Sequence, residues 1–144
     1  MKALYTATAT VHGGREGRVE SSDGALKHDL KMPKELGGPG GTGTNPEQLF
    51  AAGYGACYES ALTNVARKEG VKLQDVEVTS NVSIGKDDSD GGFRLAVRLD
   101  VKLPGIEHSV AQQLAEKAHA FCPYSKATRG NIDVELNVLQ GVHE

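Results

Sequence analysis

The sequence predicts an α+β fold, with two main helices packed on one face of mostly antiparallel sheet. Three observations carry this. Phe93, Leu95, Val97, Leu99, Val101 and Leu103 are six alternating apolar positions, the period of a strand with one buried face. Val76, Val78, Val82 and Ile84 also keep a period of two, ahead of the polar connection Lys86-Asp87-Asp88-Ser89-Asp90-Gly91-Gly92, so the two runs read as an antiparallel hairpin. A glycine-containing helix precedes this hairpin, and a second helix with Val110, Leu114, Ala118 and Phe121 on one face follows it. Strands, helix, strands, helix, strand, in that order, make an α+β chain.

Taken in order, residues 3–11 alternate Ala and Thr around Tyr5 and predict a strand. His12-Gly13-Gly14-Arg15-Glu16-Gly17 is a turn. Arg18 to Glu20 forms a short strand, Ser21-Ser22-Asp23-Gly24 a second turn, and Leu26, Leu30 and Met32 around His28 a third strand. The loop Leu36-Gly37-Gly38-Pro39-Gly40-Gly41-Thr42-Gly43 lacks the Gly-Lys-Ser/Thr ending of a phosphate-binding loop. It reads instead as a conformationally demanding lead into a helix.

That helix opens at Asn45, a good N-cap, with Pro46 at the first helical position. Glu47 falls in the first turn, where the dipole favours a negative charge. Gln48 occupies the reach-back position of a capping box. The helix runs to about Glu69, where Gly70 can cap it. Gly53 and Gly55 each cost roughly 1 kcal/mol against alanine, which argues that another backbone or helix comes close and that Cys57 lies deep. Ser109 is the expected cap of the second helix, which stops at Cys122-Pro123 because a residue before proline is pushed out of the helical region. Tyr124 to Gly130 reads as turn-like, and Ile132, Val134, Leu136 and Val138 as a last strand.

The chain has 144 residues, which suggests one domain over 1–144. Its formal net charge is −3, with no basic run or stripe, which argues against a nucleic-acid partner. No apolar run approaches the roughly 18 residues of a membrane span, and Met1-Lys2-Ala3-Leu4-Tyr5-Thr6 lacks the core of a signal peptide. The expected location is the cytoplasm, where a cysteine pair is more often catalytic or metal-binding than structural.

Cys57 and Cys122, the two cysteines, are 65 residues apart. Each is either a small buried hydrophobe or half of a reactive pair, whose chemistry is thiolate attack on an oxidant followed by disulfide formation. His119 and Cys122 share a helix face, but no second paired ligand motif completes a metal site. A cysteine hydrolase needs a histidine beside Cys57, and none of the five histidines has a context that suggests it. A thiolate near neutral pH wants a cation beside it. Arg15 is a candidate, and Glu47 can orient its guanidinium through two parallel hydrogen bonds. Taken alone, Arg15 also fits a solvated turn and Glu47 a dipole-complementing first turn. Ten residues of straight helix separate Glu47 from Cys57 by about 15 Å. If both charges serve Cys57, either the arginine bridges most of that gap or the helices of two chains lie side by side. The small residues favour the second arrangement, a homodimer with sites near the subunit interface.

Gly13-Gly14-Arg15-Glu16-Gly17, the run from Gly37 through Thr44-Asn45-Pro46-Glu47-Gln48 to Cys57, and Cys122-Pro123-Tyr124-Ser125 through Ile132 resemble the signature segments of the organic hydroperoxide resistance proteins, within the Ohr/OsmC superfamily. The resemblance spans nearly the whole chain, with Lys126 standing where the pattern has asparagine. It implies an OsmC-like intertwined homodimer and a cysteine-based peroxidase with no bound metal or haem. Cys57 would be the peroxidatic cysteine, Cys122 the resolving one, and Arg15, held by Glu47, the stabiliser of the thiolate. Lipoylated proteins would return electrons through dihydrolipoamide as reducing co-substrate. Leu36, Phe50, Phe93 and Tyr124 are then expected to form a collar for the alkyl part of the hydroperoxide. A non-catalytic redox sensor or lipid-binding module using the same thiols is the alternative.

Overall fold

The computed structural model describes residues 1–139. Contacts divide the chain into two units, Met1–Leu49 and Phe50–Glu144.

In the first unit, β1 (Ala9–His12), β2 (Arg18–Ser21) and β3 (Lys27–Asp29) form an antiparallel sheet in that order. The strand expected over residues 3–11 is corrected to Ala9–His12. The ladder can begin only where β2 supplies partners, and Ala9 pairs with Ser21, the last residue of β2. Upstream, the Ser22 N–H donates once more, to the Thr8 carbonyl, while Leu4 and Tyr5 are exposed. The third strand is likewise shorter than its apolar spacing suggests, because Leu30 leaves it for an isolated parallel bridge to Thr44. The glycine turn is a single 3-10 turn, Gly14–Glu16, and the glycine-rich loop carries another, Lys34–Leu36.

Helix α1 (Pro46–Lys68) starts where its cap predicts. Asn45 Oδ1 accepts from the Gln48 N–H at 2.8 Å, satisfying an orphan donor of the first turn. The Gln48 side-chain oxygen accepts from the Thr44 hydroxyl at 2.8 Å, which takes the place of the expected reach-back. At the other end Gly70 is left-handed, with φ +73°. The Gly70 N–H donates to Arg67 and the Val71 N–H to Ala66, the paired bonds that close a helix C-terminus.

In the second unit, β4 (Glu77–Asp87) and β5 (Gly92–Lys102) form the expected hairpin, in register from Glu77 opposite Lys102 to Asp87 opposite Gly92. Helix α2 (His108–Phe121) is capped by Glu107 rather than Ser109. The Glu107 carboxylate accepts from the Ser109 and Val110 N–H groups and binds the Ser109 hydroxyl. Ser109 is already inside the first turn, so the residue ahead of the helix is the one placed to reach those donors. After α2, Cys122 is extended at φ −67°, ψ 127°. The segment read as a turn is a short helix, α3 (Pro123–Thr128). The proline that ends one helix occupies the first position of the next, where its fixed φ suits and no N–H is needed. Finally β6 (Val134–Val138) pairs parallel with β5, giving the order β4-β5-β6. Tyr54, Tyr58 and Leu62 from α1, Val97, Leu99 and Val101 from β5, and Leu114, Ala115 and Ala118 from α2 build the core of this unit. No helix of the described residues is long and apolar enough to cross a membrane.

Candidate active site

The fold brings the two thiols together. Cys57 projects from the middle of α1, and Cys122 sits at the joint where Pro123 separates α2 from α3. Their sulfurs are 3.8 Å apart and both cysteines are free. Cys122 is fully buried, while Cys57 is half-buried. The expectation of a deep Cys57 is therefore corrected. The close neighbour that Gly53 accommodates is a side chain, not another helix: a Cβ at Gly53 would stand 2.7 Å from the Tyr124 hydroxyl oxygen. Gly55 would meet only the Ser80 Cβ, at an ordinary 3.6 Å.

Burial pushes the Cys57 thiol up from its ordinary value, and the neighbouring Cys122 pushes the same way. The backbone N–H of Tyr124 opposes both, because a donor aimed at sulfur favours the thiolate. That N–H lies in the first turn of α3, where helix geometry leaves donors without intrahelical partners. Around the thiols, Phe50 meets Tyr54 and Tyr124 edge-on at 6.0 and 6.2 Å between ring centroids, and Tyr54 lies 5.5 Å from Tyr124. Phe50 and Tyr124 are thus two expected collar residues in one aromatic cluster. Phe93 is 66% exposed near the start of β5, outside that cluster. Leu36 belongs to the other unit, at the end of its 3-10 turn.

Within the first unit, Arg15 and Glu47 form the fork anticipated from their chemistry. Arg15 Nη1 and Nη2 donate to Glu47 Oε1 and Oε2 at 2.8 and 2.9 Å. The guanidinium holds the Glu47 carboxyl below its usual range against an opposing effect of burial. A lowered carboxylate pKa contributes stability that is present above the unfolded value of about 4.3 and is lost as pH falls through the folded value. Glu47→Gln should therefore lower stability at pH 7 by about 1 kcal/mol or less, since the side chains keep partial exposure. The difference should shrink as pH falls below about 4.3, and urea titrations across that range check it.

A second group of residues includes His119, weighed in the sequence only as a metal ligand, and three hydroxyl residues that carried no sequence signal for a site. His119 Nδ1, Ser125 Oγ, Tyr54 Oη and Thr128 Oγ1 form a chain of contacts behind the cysteine pair. It joins α1, α2 and α3 across a helix break, so no fixed spacing in the sequence announces it.

Comparison with known proteins identifies the family. The family model for OsmC-like protein matches residues 38–137. The organic hydroperoxide resistance protein of Xanthomonas axonopodis pv. citri is 54% identical over 138 residues, covering 95% of this chain and 96% of that protein. The organic hydroperoxide resistance protein OhrB of Bacillus subtilis is 51% identical over 136 residues, covering 94% of this chain and 98% of its own length. The crystal structure of that Bacillus subtilis OhrB has a TM-score of 0.88 at 50% identity, over 95% of this chain and all of that one. A Legionella pneumophila structure described as an organic hydroperoxide resistance protein OsmC reaches a TM-score of 0.91 at 54% identity, covering 96% of this chain and 100% of that one. With the family match over most of its length and about half of its positions identical to these relatives, the chain belongs to the organic hydroperoxide resistance branch of the OsmC-like family.

Proposed function

We propose that this protein is a cysteine-based thiol peroxidase that reduces organic hydroperoxides to alcohols. The observation that carries the reading is the 3.8 Å separation of two free sulfurs, one half-buried and one fully buried. The names of its relatives give the substrate class, organic hydroperoxides. In the first step the Cys57 thiolate attacks the peroxide oxygen distal to carbon. The O–O bond breaks, the alkoxide takes a proton and leaves as ROH, and Cys57 becomes a sulfenic acid. Cys122 then attacks that sulfur, and water leaves as the disulfide forms. Closing 3.8 Å to the roughly 2.05 Å of a disulfide asks for a movement of about 2 Å. Dihydrolipoamide, presented by a lipoylated protein, returns both thiols by exchange and is itself oxidised to the cyclic disulfide.

In this reading the thiolate's cation is Arg15, whose guanidinium is oriented by its fork with Glu47. Phe50 and Tyr124 make the apolar wall for the alkyl group. At roughly 25 cal/mol per Å² of apolar surface, burying such a group favours an alkyl hydroperoxide over hydrogen peroxide. The active form is a homodimer.

A steady-state assay with dihydrolipoamide tests the reading. Cumene hydroperoxide should be consumed over many turnovers, with kcat/KM at least about tenfold above that for hydrogen peroxide, equivalent to roughly 1.4 kcal/mol. Consumption of a single equivalent would make the protein a sensor, and ester hydrolysis in the absence of peroxide would make it a hydrolase.

A further inference from the structure

The chain of contacts behind the thiols takes its direction from where the Thr128 proton goes. His119 Nδ1 lies 2.7 Å from Ser125 Oγ, Ser125 Oγ lies 2.8 Å from the Tyr54 hydroxyl, and that hydroxyl lies 3.2 Å from Thr128 Oγ1. The Thr128 hydroxyl donates to the Ser125 carbonyl at 3.1 Å. Tyr54, Ser125 and Thr128 are buried, so these groups satisfy one another. Each hydroxyl has one proton to donate. With the Thr128 proton placed on the carbonyl, Tyr54 donates to Thr128. Tyr54 then accepts from Ser125, and Ser125, its own proton committed, accepts from His119. His119 Nδ1 therefore carries a proton, and in the neutral ring Nε2 is bare. Burial and the nearby Arg129 charge lower the His119 pKa, which favours that neutral form.

The two middle members of this chain lie beside the chemistry. Tyr54 stands three positions before Cys57, on the same face of α1. Ser125 directly follows Tyr124, whose backbone N–H favours the Cys57 thiolate, and stands three positions after Cys122, whose sulfur is 3.8 Å from that of Cys57. We propose that His119, Ser125 and Tyr54 are positioning residues, whose directional hydrogen bonds pin the first turn of α3 to α1 and so keep the Tyr124 N–H on Cys57 and Cys122 within reach of it. The consequence for turnover rests on the peroxidase reading; the geometry does not. The titratable group facing Cys57 is the Cys122 thiol, and the charge facing His119 is Arg129.

Two measurements decide the matter without a peroxide assay. Nitrogen-15 spectra of the unmodified protein, above the His119 titration, should show a protonated Nδ1 and a bare Nε2. Iodoacetamide labelling of Cys57, followed by peptide mass spectrometry against pH, should shift in Ser125→Ala and Tyr54→Phe. The midpoint should rise by about one unit, slowing labelling at pH 7 about tenfold, because the thiolate loses a donor. A dominant Nε2–H tautomer overturns the proposal even if both variants fail to fold. Folded variants with a lower melting temperature and an unmoved labelling profile also overturn it, since they reduce the chain to a structural support. If the unmodified protein consumes no organic hydroperoxide, the peroxidase reading falls, while tautomer and labelling still decide the positioning chain.

Discussion

Cys57→Ser is expected to abolish hydroperoxide consumption, with a fall in rate on the order of 10³-fold or more, equivalent to about 4 kcal/mol of transition-state stabilisation. Among the described residues, a serine hydroxyl in this place has no partner able to ionise it. Among the contacts of Cys57, the Tyr124 N–H and the Cys122 thiol are donors and not bases. The thiolate is both the better nucleophile and the only form that accepts an oxygen atom from peroxide to give a stable intermediate. Steady-state depletion of cumene hydroperoxide with dihydrolipoamide measures the effect. Retention of a tenth of the activity would remove Cys57 from the chemistry.

Cys122→Ser has a different expected signature. The first equivalent of hydroperoxide should react at close to the normal rate, since Cys57 remains. Turnover should then fall about 100-fold or more, roughly 2.7 kcal/mol, with Cys57 advancing to the sulfinic acid under excess peroxide. The reason lies in access. Cys122 approaches from inside the core, at 0% exposure, whereas an external dithiol must enter from the half-exposed side of Cys57. In the intact protein the Cys122 thiol is already 3.8 Å away. Stopped-flow burst amplitude and intact-protein mass follow the two phases. Many turnovers at the full rate would count against a resolving role.

Features governed by local rules were legible in the sequence. The start of α1 follows from Asn45 and Pro46, its end from Gly70, and the β4–β5 hairpin from its period of two. The Arg15–Glu47 fork was one of two readings open to the chemistry of these residues, and the family resemblance favoured it. What the sequence hid depends on partners distant along the chain. The strand over residues 3–11 shrinks to Ala9–His12 because a strand is as long as its ladder. Pro123 was readable as a stop and equally is a start, which only the packing of Ser125 and Thr128 reveals. Glu107 outcompetes Ser109 as a cap because a carboxylate reaches two donors at once. Cys57 proved shallower than its glycine neighbours implied, since Gly53 makes room for the Tyr124 ring. His119 reads as an ordinary helix residue until Ser125 is brought against it.

The parallel pairing of β6 with β5 bears on how the chain is born. A parallel partner cannot arrive by a hairpin, so β5 waits through α2 and α3 for Val134–Val138 to emerge. During synthesis that edge is an open template for pairing with a neighbouring nascent chain. Arg94, Arg98, Asp100 and Lys102 alternate along it with Leu95, Val97, Leu99 and Val101. Charges spaced in this way act as gatekeepers on an unpaired strand. The polar side of β5 thus guards the protein on the ribosome, before there is any enzyme to protect.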